Sequence, residues 1–323
     1  MKLWVFAVLA LLLVVWLFVD LAFYFDLSLE EEVEVVVPRG TSLRGIARML
    51  EERGVTSSLR FLAFTLLSGR KTLIAGRYRL KKEMPVARLV ELLAQGPPEV
   101  RVTLPEGLTA QEMAEILERS GVCRKEEYLF WVEHPEFFGK PWLLGIKTLE
   151  GFLFPDTYSF QVPTLPQDVI TTQLSRFEAL VLPLLEGKDV SLSLADIVTL
   201  SSIVEREARW GDEKPLVASV FLNRLKKNMR LESCATVVYA LKKERGVVVH
   251  TLTREDLSFP SPFNTYLHRG LPPHPICNPG LSSIQAVLDP AETEYLYFVL
   301  QENGRHAFAR TYEEHLLNKR GAP

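Results

Sequence analysis

An apolar run from Leu3 to Val19, resuming after Asp20 as L-A-F-Y-F up to Asp26, constrains this chain more than any other stretch. A bilayer core takes about 20 apolar residues of helix at about 1.5 Å rise each. Every backbone polar group inside it must find its partner within the segment. Leu3 to about Phe25 therefore reads as a transmembrane helix with Asp20 near one interface. A cleaved signal peptide would carry a shorter apolar region followed by small residues at an A-x-A site, which are missing here. The expectation is an uncleaved signal anchor over residues 1–26. Lys2 and the terminal amine point to a cytoplasmic N-terminus under the positive-inside rule. The remainder is then extracytoplasmic, on a single-pass protein of the cytoplasmic (inner) membrane.

That remainder suits more than one domain. The 323 residues are 47% hydrophobic and 24% charged, as in ordinary folded proteins. A net charge of −3 gives no electrostatic footprint for nucleic acid. Cys123, Cys234 and Cys277 are an odd set without C-x-x-C spacing, and read as mostly buried small apolar residues. A Cys234–Cys277 bridge is left open.

From Val36 to Val55 the chain reads V-V-P-R-G-T-S-L-R-G-I-A-R-M-L-E-E-R-G-V, and from Thr103 to Val122 T-L-P-E-G-L-T-A-Q-E-M-A-E-I-L-E-R-S-G-V. Both copies predict strand, Pro/Gly turn, Ser or Thr N-cap, amphipathic helix and Gly stop. After the first copy come a helix over 58–67, a strand from Gly76 and a helix over 86–94. Residues 27–98 thus form a β-α-α-β-α module that resembles LysM-like glycan-binding modules. Residues 99–323 form a larger domain, making the whole an α+β protein.

In the larger domain, Leu194 to Ala208 reads L-A-D-I-V-T-L-S-S-I-V-E-R-E-A. At about 100° per residue, Leu194, Ile197, Val198, Ser201, Val204 and Ala208 share one face. Glu205 falls inside that face, while Asp196, Arg206 and Glu207 fall outside it. A carboxylate against apolar neighbours loses hydration, which raises its pKa towards that of a general acid. A structural reading stands beside it. Arg224, set among Val217, Val220 and Phe221 on the next helix, could pair with Glu205 and keep it ionised.

Two further stretches supply candidate binding groups. L-E-G-F-L-F-P-D-T-Y-S-F from Leu149 gathers aromatic residues around Glu150 and Asp156, which suits a sugar ring or a buried turn equally. Ser258 to Leu281, with six prolines and two glycines, predicts a long irregular loop whose Asn264, Thr265, Tyr266 and Asn278 line a cleft. A short helix from Ser282 and strands at Tyr295–Leu300 and around His306–Arg310 close the chain.

Much chemistry is excluded by what is missing from the sequence. There is no G-x-G-x-x-G opening a helix, no P-loop and no G-x-S-x-G elbow. The six histidines form no H-E-x-x-H, and His274 with Cys277 falls short of a zinc ligand set. No metal and no cofactor are expected.

Together the anchor, the LysM-like module, E-G-F-L-F-P-D-T-Y, S-I-V-E-R-E-A, V-F-L-N-R-L, M-R-L-E-S-C-A-T-V-V-Y-A-L, F-N-T-Y and G-L-P-P followed by N-P-G resemble the endolytic murein transglycosylases of the YceG-like family. The resemblance implies a membrane-anchored lyase that cuts nascent peptidoglycan between N-acetylmuramic acid and N-acetylglucosamine. It would leave 1,6-anhydro ends and so limit strand length. It also implies peptidoglycan synthases as partners, a lysozyme-like cleft, and a catalytic glutamate at the first Glu of S-I-V-E-x-E, which is Glu205. Glu150, Asp156, Arg224, Asn264, Tyr266 and Asn278 are then candidates for substrate contact. His274 stands where many relatives carry Gly, and Cys234 where many carry Asp. A non-catalytic wall-binding scaffold and a hydrolytic muramidase are the competing readings. A pyridoxal-dependent lyase has no lysine setting in its favour.

Overall fold

The computed structural model describes residues 12, 15, 16, 32–38, 40–70, 72–81, 84–188, 191–249 and 251–320. Apart from Leu12, Val15 and Trp16, the expected anchor lies outside the described residues. Among the described residues no helix is long and apolar enough to cross a membrane. The chain divides into two compact units. The first runs to Arg101 and takes in Gly121–Cys123 and Ser159–Thr164; the second contains the rest.

The first unit follows the local code of its sequence. Strand β1 (Val33–Val37) pairs antiparallel with β2 (Gly76–Leu80), Val35 opposite Tyr78 and Val37 opposite Gly76. Alternation along the strands turns Val35, Val37, Tyr78 and Leu80 inward. Helices α1 (Leu43–Glu52), α2 (Ser58–Leu67) and α3 (Val86–Gln95) close over that face. Ile46, Ala47, Leu50, Phe61, Leu89, Val90 and Leu93 complete one apolar cluster. Ser42 and Ser57 cap α1 and α2 by accepting from Gly45 N–H and Arg60 N–H. The β-α-α-β-α order read from the sequence is the order observed.

Both copies of the internal repeat adopt the expected local form. Gly40 and Gly107 take φ of 79° and 80° in the turn, and Gly54 and Gly121 take 67° and 72° at the stop. These left-handed values favour glycine. Strand β3 (Glu99–Thr103) leads into the second copy and pairs with β4 (Thr157–Gln161). The copy's helix α4 (Ala110–Arg119) opens with a complete capping box, Thr109 with Glu112.

In the second unit α4 is followed by α5 (Lys125–Val132) and α6 (Pro166–Val181), a 16-residue helix absent from the sequence reading. Its centre is α7 (Leu194–Glu207), flanked by α8 (Lys214–Lys226), α9 (Cys234–Arg245) and α10 (Leu281–Leu288). Every residue of α7 from Ile197 to Val204 is buried. The expected one-faced helix is thus a helix covered on all sides, because neighbours pack on Thr199, Leu200, Ser202 and Ile203 as well. A hairpin of β5 (Tyr297–Leu300) and β6 (His306–Ala309) follows, with α11 (Tyr312–Lys319) packed against it. The architecture is α+β, with three two-stranded sheets among the described residues.

The cysteines depart from expectation. Cys234 and Cys277 are not bridged: Cys277 is buried and donates to Ser202 O at 3.3 Å, but Cys234 is exposed. Cys234 is the first residue of α9.

Candidate active site

Helix α7 is buried from Ile197 to Val204 and leaves the core again in its last turn. Consecutive residues there point in directions about 100° apart, so Glu205, Arg206 and Glu207 meet three different surroundings. Arg206 reaches Gly107 O at 3.3 Å.

Glu205 faces inward towards the starts of α8 and α10. Its Oε2 accepts from Ser283 Oγ at 2.6 Å, Gly280 N–H at 3.1 Å and Lys214 Nζ at 3.1 Å; Oε1 accepts from Lys214 at 3.3 Å. Lys214 also donates to Ser282 Oγ at 2.8 Å. The two side chains of this ion pair are 10% and 7% exposed. Glu106 closes the cluster, its carboxyl seated so tightly against Gly280 that a Cβ there would fall 1.9 Å from Cδ. Burial, followed by the charge of Glu205, raises the Glu106 carboxyl above its ordinary range, against the pull of Lys214. The apolar surroundings expected for Glu205 are therefore polar, with three donors gathered on Oε2 and one 3.3 Å contact on Oε1. Its cation is Lys214 and not Arg224.

Glu207 faces the other way. Its Oε1 accepts from Ser233 Oγ at 2.5 Å and Ala235 N–H at 3.4 Å, while Oε2 takes no hydrogen bond from the described residues. It stands at the edge of a groove of about 680 Å3 whose other walls include Arg209, Cys234, Tyr266, Tyr297, Tyr312 and His306. Tyrosine faces beside hydrogen-bonding groups suit a flat polar ring. Tyr266 OH lies 3.1 Å from Cys234 Sγ. Burial, together with the nearby Glu207 charge, pushes the Cys234 thiol up, so it is not a ready thiolate.

The other sequence candidates divide cleanly. Arg224 shows part of its side chain to the groove, but its guanidinium is spent on the carbonyls of Leu296 (2.6 Å), Arg230 (3.1 Å) and Leu231 (3.0 Å) and on Glu232 (3.1 Å). Tyr266 lines the groove. Asn264 is fully buried and ties the irregular loop, donating to Leu257 O at 3.0 Å and Phe259 O at 2.8 Å and accepting from Tyr266 N–H at 2.9 Å. Asn278 is equally buried, accepting from Gly151 and Leu153 N–H and donating to Leu108 O and Glu150. Glu150 accepts from Ala110 N–H at the start of α4, and burial pushes its carboxyl up to about 8. Asp156 pairs with Arg176 at 2.7 Å. Asn264, Asn278, Glu150 and Asp156 hold the scaffold and do not line the groove.

Hydrophobic periodicity ranks helix positions by apolar company, so it singled out the enclosed Glu205 and left Glu207 outside the apolar face. Lys214, Ser283 and Gly280 were missed as well. The available signal was N-P-G-L-S-S, a Gly before two serines at a helix start, which marks free N–H groups for a carboxylate. No group of residues that could hold a metal occurs among the described residues.

Known proteins place this arrangement in a family. The model of the YceG-like family matches residues 35–321. An endolytic murein transglycosylase of Bacillus subtilis is 32% identical over 320 residues, covering 91% of this chain and 88% of that protein. One of Streptococcus pneumoniae D39 is 28% identical, covering 91% of this chain and 59% of that longer protein. A solved YceG-like protein of Listeria monocytogenes superposes with a TM-score of 0.60 at 32% identity, covering 89% of this chain and 99% of that one. The chain, with its groove-facing glutamate at the end of a buried helix, belongs to the YceG-like family.

Proposed function

We propose that this protein is a lytic transglycosylase of peptidoglycan, cutting between N-acetylmuramic acid and N-acetylglucosamine, with Glu205 as its acid. The observation that carries the reading is the way Glu205 is held: Oε2 accepts from Ser283 Oγ, Gly280 N–H and Lys214, while Oε1 takes a single 3.3 Å contact from Lys214 among the described residues. The two relatives named as endolytic murein transglycosylases supply the substrate class. The family resemblance implies the same residue.

One carboxylate suffices to start the reaction, unlike the two of ordinary glycoside hydrolysis. Protonated Glu205 gives its proton to the departing glycosidic oxygen as an oxocarbenium-like centre develops. The resulting carboxylate takes the proton of the muramic C6 hydroxyl as that oxygen bonds to C1, closing a 1,6-anhydro ring without consuming water. The intramolecular nucleophile gains from proximity. Ser283 Oγ and Gly280 N–H hold Glu205 in position throughout.

The finer cellular reading follows the same line. The apolar leader would anchor the enzyme in the cytoplasmic membrane, the β-α-α-β-α unit would bind glycan in the manner of LysM modules, and wall synthases would be its partners. Cutting within nascent strands would limit their length.

The test digests purified glycan strands with the full chain in detergent, comparing wild type, Glu207→Gln and Glu205→Gln by mass spectrometry of the ends. Anhydro ends from wild type and Glu207→Gln, but not from Glu205→Gln, are expected. Loss in Glu207→Gln alone, with its fold intact, moves the acid role to Glu207. Reducing ends mean a muramidase, and binding without cleavage by any form means a scaffold.

A further inference from the structure

Gly280 brings a second carboxyl to the side of Glu205. Its N–H donates to Glu205 Oε2 at 3.1 Å, while its bare α-carbon receives the carboxyl of Glu106, whose Cδ, Oε1 and Oε2 would stand 1.9, 2.1 and 2.2 Å from a Cβ built there. The backbone does not ask for glycine at this position: φ is −75° and ψ 167°, extended values open to any residue. The three atoms nearest that Cβ all belong to Glu106, so the glycine makes room for the carboxyl. Glu106 is itself an exposed residue, and its carboxyl takes no hydrogen bond from the described residues. It therefore braces nothing, and the scheme above gives it no part.

An acid must carry its proton to act. An ammonium beside a carboxylate favours the charged form, and a second carboxylate disfavours it. The ion pair of Glu205 with Lys214 at 3.1 Å thus works against the first step of the reaction. Glu106 works the other way, and the coupling is reciprocal: burial first, then the charge of Glu205, raises the Glu106 carboxyl, against Lys214. The remaining groups around Glu205 do not take this place. Arg206 reaches Gly107 O at 3.3 Å, while Glu207 and Glu213 spend their carboxyls on Ser233 and His306. Cys277, pushed well up by burial and then by the charges of Glu150 and Glu205, is a neutral thiol, and Ser282 and Ser283 offer only hydroxyls. Among the described residues, Glu106 is the carboxylate set against Lys214.

We propose that Glu106 is a positioning residue for the catalytic proton, a second negative charge that keeps this proton on Glu205 against the pull of Lys214, a role that rests on the reading of Glu205 as the acid. The two carboxyls then hold one proton between them, because neighbouring like charges resist ionising together. The proton count balances. Glu205 loses its proton to the leaving oxygen as the C1–O bond breaks, and regains one from the C6 hydroxyl as the C6 oxygen bonds to C1. Glu106 stays an anion throughout, favouring the protonated start and the protonated end alike. Gly280 is part of the same device, since any side chain there would push the Glu106 carboxyl away.

The experiment measures the rate of anhydro-end formation on glycan strands across the acid and alkaline limbs of the pH profile, for full-length wild type, Glu106→Gln, Glu106→Asp and Gly280→Ala, alongside strand binding and Tm. Gln keeps the shape of Glu106 and drops its charge. Glu106→Gln is expected to bind strands and melt like wild type, with the alkaline limb moved about one pH unit lower, so that it is about tenfold slower on that limb and equal to wild type well below it. Gly280→Ala keeps the N–H to Glu205 but displaces the Glu106 carboxyl, and its limb should move the same way. Glu106→Asp, charged but shorter, should fall between wild type and Glu106→Gln. A limb in Glu106→Gln that coincides with that of wild type overturns the assignment while leaving Glu205 as the acid. A loss of equal size at every pH, or one that tracks Tm, overturns it too, because neither is the loss of a charge beside the acid. Wild type without anhydro ends, or Glu205→Gln as active as wild type, removes the proposed reading and this role with it.

Discussion

Replacing Lys214 with Met tests whether the Glu205 cage is structural. The change keeps most of the side chain's volume and removes the ammonium, leaving an almost enclosed carboxylate whose side chain is 10% exposed. Breaking a buried ion pair by removing one partner costs about 3–5 kcal/mol. Glu205 retains Ser283 Oγ at 2.6 Å and Gly280 N–H at 3.1 Å, which places the expectation at the lower end, about 3 kcal/mol. In a unit of this size that corresponds to a fall in Tm of about 6–12 °C. Glu205→Gln strands the ammonium of Lys214 and should cost a similar amount. The double variant, with neither charge and with Gln still able to accept from Gly280 and Ser283, should lose only about 1 kcal/mol. Urea unfolding of the four forms gives the coupling energy. Additive losses, with coupling below about 0.5 kcal/mol, would refute the cage.

Two other expectations concern the scaffold. Burial holds the Glu150 carboxyl up near 8, above its value in the unfolded chain, so between those values the native state binds more protons. Wild-type stability should therefore decline as pH rises through that window and level off above about 8, with a slope of at most about 1.4 kcal/mol per pH unit. Glu150→Gln should lack this component in urea titrations at several pH values; parallel curves would argue against a protonated Glu150. Gly151→Ala should be among the most damaging small changes in the chain, because φ is +92° and the new methyl would lie 2.4 Å from Pro275 and 3.0 Å from Val198. A loss above about 3 kcal/mol is expected from strain plus overpacking, and a loss below about 1 kcal/mol would mean that the Pro275 segment yields easily.

Much of the first unit was legible because its rules are local. Caps at Ser42 and Ser57, stops at Gly54 and Gly69, and alternation in β1 and β2 act over three or four residues. The C-terminal strands were expected at 295–300 and 306–310 and stand at Tyr297–Leu300 and His306–Ala309. The helices α5, α6, α9 and α11 were not foreseen. The α6 sequence mixes inward Gln173 with apolar positions, and α11 has no buried residue, so a periodicity argument finds little to hold.

The sequence by itself determined the family, through a set of short motifs in order, and the local form of most elements near them. It also located the decisive turn of chain, E-R-E at the end of α7. Which of its glutamates meets the groove was a tertiary decision. Gly280 and Ser283, which cage Glu205, lie 75 and 78 residues away in sequence, Ser233, which holds Glu207, lies 26 away, and Glu213 and His306 are 93 apart. A helix specifies only the angle between its side chains. What stands at each angle is set by the packing of α8, α10 and the β5–β6 hairpin. No periodicity within α7 encodes those partners, which come together only when the helices pack.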